Sequence, residues 1–171
     1  EHVVRAELHM TNMEDIAIVD ELWAEYFPVD PPARVIIPVP LVVLPMRIES
    51  EFIAVDPSGP YKKEIINCKG VPEPISPEST AVKAGPFVFL SGQLATDFKH
   101  GLAPEATVNP SFPYHSNQAR LEAEYIISKV SRICEIAGTS IENLVRRRVH
   151  FVDMVDIPLT EDLWVNRLGD K

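Results

Sequence analysis

A few side chains near strand ends and turns are placed to do chemistry. Arg34 follows Pro31-Pro32-Ala33 at the start of the apolar run RVIIPV. Its planar guanidinium matches a carboxylate through two parallel hydrogen bonds, which a lysine ammonium cannot do. The ordinary alternative is a solvated pair with one of the chain's 25 acids. Glu49, in RIESEFIAV, has a carboxylate that can take a proton from water held within hydrogen-bond reach. Its ordinary alternative is a strand acid facing solvent, as Glu51 would be. Ser91-Gly92-Gln93 closes the apolar stretch PFVFLSGQL. It reads as a strand-end turn, which Ser-Gly favours. Asp20 reads first as an acid in the N-terminal part of a helix. His9 and His150 lie on polar strand faces, where exposed or structural histidine is the commoner state. Cys134 sits on an apolar helix stripe and reads as core. No P-loop, GxGxxG, HExxH or GxSxG motif is present.

Alternation and helical spacing predict the elements that hold these residues. VVRAELHM (3–10) alternates, with Val4, Ala6, Leu8 and Met10 on one face, and reads as a half-buried strand. EDIAIVDELWAEYF (14–27) changes to a period of three and four and stops before Pro28, which predicts an amphipathic helix. Residues 34–39 and 47–55 read as two strands, with Pro38 placing the first at an edge or a bulge. Residues 56–84 carry Pro57, Pro60, Pro72, Pro74 and Pro77 and read as a linker, with a short strand at Glu64–Asn67. Residues 86–94 form an apolar strand. A long helix follows, which Ser116 can cap and Gly138 ends. LVRRRVHF (144–151) alternates as a strand, and Glu161–Leu168 begins another helix.

The 171 residues are enough for one domain, or one and a piece, at about 150 residues per domain. The hydrophobic content of 46% supports a packed core rather than a disordered chain. A net charge of −9 argues against nucleic acid and anionic lipid as partners. Arg146-Arg147-Arg148 is the one basic run, and its members point to both faces of a strand. Two distant cysteines build neither a disulfide scaffold nor a zinc site. That usage fits a reduced cytoplasmic setting. The longest apolar run, Val35 to Met46, is broken by prolines and too short to span a bilayer. No basic start followed by an apolar stretch opens the chain. It begins with Glu1, so a natural N-terminus is expected elsewhere.

Shifting the sequence by 141 positions lays residues 3–23 over 144–164. Eight of the 21 positions are identical, and the chain's two tryptophans, Trp23 and Trp164, superpose. Chance gives about one or two identities in such a window, so the unit reads as duplicated, with a domain-sized period.

Four segments carry a family resemblance: FVFLSGQLATD (87–97), ICEIAGTSIENLV (133–145), HMTNMEDIAIVDELWAEYF (9–27) and PPARVIIPVPLVVLPMRIESEFIAV (31–55). Together they resemble the Rid family, also called YjgF or L-PSP endoribonuclease-like, and specifically a portion of a tandem two-domain member. The resemblance implies an α+β two-layer domain, with two helices packed on one face of a mixed sheet. It divides the chain into the C-terminal half of a first domain (1–55), a linker (56–74) and the N-terminal three-quarters of a second (75–171). It also implies trimers, or pseudo-trimers of tandem domains, with sites between neighbouring sheets.

The activity implied is hydrolysis of reactive 2-imino acids or enamines to 2-oxo acids and ammonia, with no cofactor and no metal. The alternative is a small-carboxylate binding or regulatory protein without turnover. A ribonuclease reading is disfavoured by the acidic charge. By the resemblance, Arg34 clamps the substrate carboxylate and Glu49 holds and polarises the attacking water. Ser91, Gly92, Ile36 and Asp20 line the pocket. The sequence departs from the family at Ile36, where a cysteine is common. It departs again at Ser76-Pro77-Glu78, where the family often has a Gly-Pro and then a tyrosine. Glu78 would add a negative charge to a site meant for a carboxylate.

Overall fold

The computed structural model describes residues 1–169. Among the described residues, six strands and three α-helices give the α+β class. The described chain divides into two compact units. One comprises Glu1–Lys69 with Pro74–Gly92, and the other Gly70–Glu73 with the residues from Gln93 onward.

In the first unit, Val3–Met10 (β1) is the centre of a mixed three-stranded sheet. It pairs in parallel with Ala33–Pro38 (β2) and antiparallel with Ile48–Ala54 (β3). The parallel pair is joined by a helix, Ile16–Tyr26 (α1), as a parallel connection requires. The apolar alternation of β1 faces that helix. Trp23, Val19 and Phe27 pack on Ala6, Leu8 and Ile36, and Phe52 of β3 stacks on Trp23 with centroids 6.2 Å apart.

A second, antiparallel sheet is a meander of Lys63–Ile65 (β4), Ala81–Ala84 (β5) and Phe87–Leu90 (β6). Val82 and Ala84 join Val4 and Ala33 in one core cluster. Between β5 and β6 the chain turns at Gly85, whose φ is +57°. A Cβ there would stand 2.6 Å from the Tyr61 ring, so both sterics and backbone demand glycine.

The second unit is helical. Gln118–Ile136 (α2) buries Ile127, Val130, Ile133 and Cys134, and Gly138 at φ +78° ends it. Its cap is Asn117, whose side chain accepts from the Arg120 backbone N–H at 3.0 Å, and not Ser116 one residue earlier. Ile157–Leu168 (α3) packs on α2 through buried Thr160 and Trp164. Arg120 ties the two helices by donating to the Leu159 carbonyl and to Asp162.

Two strand expectations also fail. Ala81–Ala84 is a strand inside what reads as linker. Its four residues, two of them alanine, are too few and too small to show an alternation. Residues 144–151 alternate well but form no strand. In the first unit β1 is held from both sides by β2 and β3; residues 144–151 have no such neighbours among the described residues, and a strand without a ladder has no backbone partners.

The rest of the repeat is followed closely. A short 3-10 turn at Met13–Asp15 is capped by Asn12 and leads into α1 at Ile16. Its counterpart at Met154–Asp156 is capped by Asp153 and leads into α3 at Ile157. Each of these positions differs by 141.

Candidate functional site

Arg34 is the second residue of β2, opposite Ala6 of β1, and so projects from the face that α1 covers. Its side chain is fully buried. Nη2 donates to Asp20 Oδ1 at 2.7 Å, from a position on α1 one turn before Trp23. Nε donates to Glu78 Oε2 at 3.2 Å. The guanidinium carbon lies 5.0 Å from the centre of the Trp23 ring, in cation–π range. Nη1 is buried and has no partner among the described residues. A buried guanidinium N–H without an acceptor is costly, and an incoming carboxylate oxygen would relieve it.

The backbone of Arg34 is held as tightly as its side chain. Its N–H donates to Ser91 Oγ at 2.8 Å, and that hydroxyl donates to the Ser79 carbonyl at 2.8 Å. The Gly92 N–H donates to the Arg34 carbonyl at 2.9 Å. Ser79 in turn donates through its hydroxyl to the Pro31 carbonyl. The strand-end Ser-Gly is thus stitched along β2. A Cβ at Gly92 would meet Val35 at an ordinary 3.7 Å, so the close approach itself does not require glycine.

Of the residues singled out from the sequence, Arg34, Asp20, Ser91 and Gly92 come together. Ile36 shares the face of Arg34 two residues on and packs into the Trp23 cluster. Glu49 stands elsewhere. The register pairs it with His9, whereas Arg34 and Phe52 pair with Ala6, so Glu49 projects from the opposite face of the sheet. Its side chain is 60% exposed. A cavity of about 250 Å³ lined by Met10, Asp15, Ile18, Val19, Arg47 and Ile48 includes none of these residues.

Glu78 is the departure that matters most. Burial raises its carboxyl above the usual glutamate value, and the nearby Asp20 charge adds to that. Arg34 and hydrogen bonds from Arg34 and Ser91 pull in the other direction. Two carboxyl groups therefore compete for one guanidinium, and Glu78 is the one that holds a proton more readily than usual.

Three features escaped the sequence reading. Trp23 reads only as core, yet it is the floor beneath Arg34. Glu7 reads as solvent-facing, yet it is 1% exposed. It accepts from Arg5 Nη2 at 2.8 Å, and its other oxygen lies 3.0 Å from His9 Nε2. The spacing Arg5-x-Glu7-x-His9, three ionisable groups on one strand face, was the available signal.

The third lies in the second unit. Arg147 Nη2 donates to both oxygens of Glu161, at 2.7 and 3.0 Å. Its guanidinium carbon is 4.9 Å from the Trp164 ring, and its Nη1 is also buried without a partner among the described residues. Glu161 and Trp164 are the repeat positions of Asp20 and Trp23.

No family model matches the chain. Similar proteins do exist among curated sequences. A RutC family protein of Pyrococcus horikoshii is 27% identical over 109 residues, covering 64% of this chain and 78% of its own length. A RutC family protein of Pyrococcus abyssi is 26% identical over 109 residues, covering 64% and 77%. Reactive Intermediate Deaminase A, chloroplastic, of Arabidopsis thaliana is 25% identical over 103 residues, covering 60% of this chain and 49% of its own length.

These similarities support membership of the Rid family.

The mixed sheet and its covering helix agree with the α+β class that the four motifs imply. Ile36 and Glu78 are where the chain departs from the family, and Glu78 does so in direct contact with Arg34. Among the described residues, no helix is long and apolar enough to cross a membrane, and no group of three or more His, Cys, Asp or Glu is placed to hold a metal.

Proposed function

We propose that this chain carries a site for hydrolysis of 2-imino acids or enamines, giving 2-oxo acids and ammonia. Arg34 binds the substrate carboxylate through Nη1, and Asp20 and Trp23 hold the guanidinium in place. Ser91, Gly92 and Ile36 line the approach. Glu49 takes a proton from the water that attacks the imine carbon, and the tetrahedral adduct then releases ammonia. Imines hydrolyse unaided, so positioning and one base suffice. Because Glu49 and Arg34 project from opposite faces of one sheet, a complete site pairs Arg34 of one copy with Glu49 of another. A trimer, or a pseudo-trimer of tandem domains split as 1–55, 56–74 and 75–171, would supply that pairing. The single observation that carries the reading is the buried, unpartnered Nη1 of Arg34. The name of the Arabidopsis relative supports the reaction class.

The contact of Glu78 with Arg34 Nε favours a second reading, in which the guanidinium binds a small carboxylate without turnover. The test is a coupled assay. An amino-acid oxidase generates the 2-imino acid and semicarbazide traps whatever remains. Wild type is expected to deplete the trapped adduct, while Arg34→Lys and Glu49→Gln do not. If Glu49→Gln depletes it as fast as wild type, the hydrolytic role of Glu49 falls. If no variant or wild type depletes acidic, aliphatic or aromatic imines, the binding reading replaces the enzyme.

A further inference from the structure

The far face of the central sheet carries a line of ionisable side chains: Arg5, Glu7 and His9 on β1, with Glu51 and Glu49 opposite on β3. From β2 the same face receives Val35 and Ile37, which bring no charge. Glu7 is buried and pinned by Arg5, so its second oxygen is a fixed acceptor for the His9 ring at Nε2. A ring that donates through Nε2 presents Nδ1 as an acceptor. Nδ1 lies 3.8 Å from Glu49 Oε1, one small side-chain rotation from a hydrogen bond.

We infer that His9, oriented by the buried Glu7, is a positioning residue for the Glu49 carboxyl. The inference rests on the role proposed above for Glu49. Glu49 is an exposed strand side chain with several rotamers available, and a base that wanders is a poor base. His9 gives it one preferred direction as soon as it holds a proton, because Nδ1 then has an O–H to accept from. The contact is also better after proton transfer than before it. Once Glu49 has taken the proton of the attacking water, its O–H can donate to Nδ1. An interaction that strengthens as the proton moves lowers the barrier rather than merely tightening binding. Neither His9 nor Glu7 touches substrate in this scheme.

The experiment compares kcat and KM of wild type, His9→Phe, Glu49→Gln and the double variant in the imine assay. His9→Phe keeps a ring of similar bulk. It is expected to lower kcat about tenfold to a hundredfold with KM unchanged. In the Glu49→Gln background the same change is expected to cost nothing further. Full activity of His9→Phe beside an inactive Glu49→Gln overturns the inference and leaves the Glu49 reading standing. An equal loss from His9→Phe in both backgrounds marks a structural role and also overturns it. Full activity of Glu49→Gln removes both. As a check that does not depend on the folding of His9→Phe, the imidazole ¹⁵N signals of His9 are expected to shift when exposed Glu49 becomes glutamine. Unchanged signals overturn the contact.

Discussion

The two arginine cradles use equivalent helices of the repeat, α1 and α3, but only the first draws its arginine from a strand. In each, an acid three residues before a tryptophan grips a guanidinium: Asp20 and Trp23 on α1, Glu161 and Trp164 on α3. In the first the arginine is Arg34, delivered by β2 beside the central strand. In the second it is Arg147, which stands at the repeat position of Ala6 and lies on a segment without strand pairing. In both, the helix face holds a guanidinium that comes from a non-equivalent place in the repeat. The sheet decides how firmly. Arg34 is fully buried and its backbone is bonded to Ser91 and Gly92, whereas a quarter of the Arg147 side chain is exposed and half of Glu161 is.

That contrast predicts unequal penalties. Arg34→Ala leaves Asp20 and Glu78 without their cation in a buried setting and is expected to cost about 3–5 kcal/mol. Arg147→Ala breaks a partly solvated pair and is expected to cost about 1 kcal/mol or less. Urea denaturation of the two variants measures both, and equal losses would mean that the sheet contributes nothing to the first cradle.

Glu78→Gln sharpens the comparison, since among the described residues the second cradle shows no such extra acid. Glu78 binds its proton more tightly folded than unfolded, where its value is about 4.5. Its contribution to stability is therefore present at acid pH and is lost as pH rises from that value through the raised folded one. Gln stands in for the protonated form. The variant is expected to match wild type at acid pH, to exceed it in denaturant midpoint near neutrality, and to bind small carboxylates more tightly there. A midpoint difference that does not vary with pH would show that Glu78 is not strained by ionisation.

The smallest effect concerns the caps. Asn12→Ala and Asp153→Ala each remove a side-chain acceptor from the turn before a helix, at equivalent repeat positions. Each is expected to cost about 0.5–1 kcal/mol in thermal melts. A clear inequality would separate the two helix entries that the repeat makes alike.

Much of the fold is legible because alternation and helical spacing report burial directly. The strand 3–10, the helix with Trp23 and the helix closed by Gly138 all announce themselves that way. The strand that fails to form at 144–151 shows the limit. Alternation expresses an ability to pair, and pairing needs neighbours that a window of eight residues does not contain. The candidate site is legible in its parts but not in its geometry. Pro-Pro-Ala-Arg and Ser-Gly-Gln mark Arg34 and Ser91, but that Asp20 rather than Glu49 faces the arginine depends on strand register. A one-residue slip of register reverses it. Glu7 was missed because alternation has two faces and the polar one is assumed wet. Here three ionisable neighbours satisfy one another and bury the middle one.

The bond from Arg34 to Ser91 spans 57 positions, whereas β1, β2 and β3 close their ladders within the first 54 residues. Loop closure makes the short-range sheet the earlier event and the serine stitch the later one. Contacts formed after the folding transition state govern how fast the native state is left, not how fast it is reached. Ser91 thus sets the lifetime of the arginine cradle, and variants there are expected to speed unfolding while refolding keeps its pace.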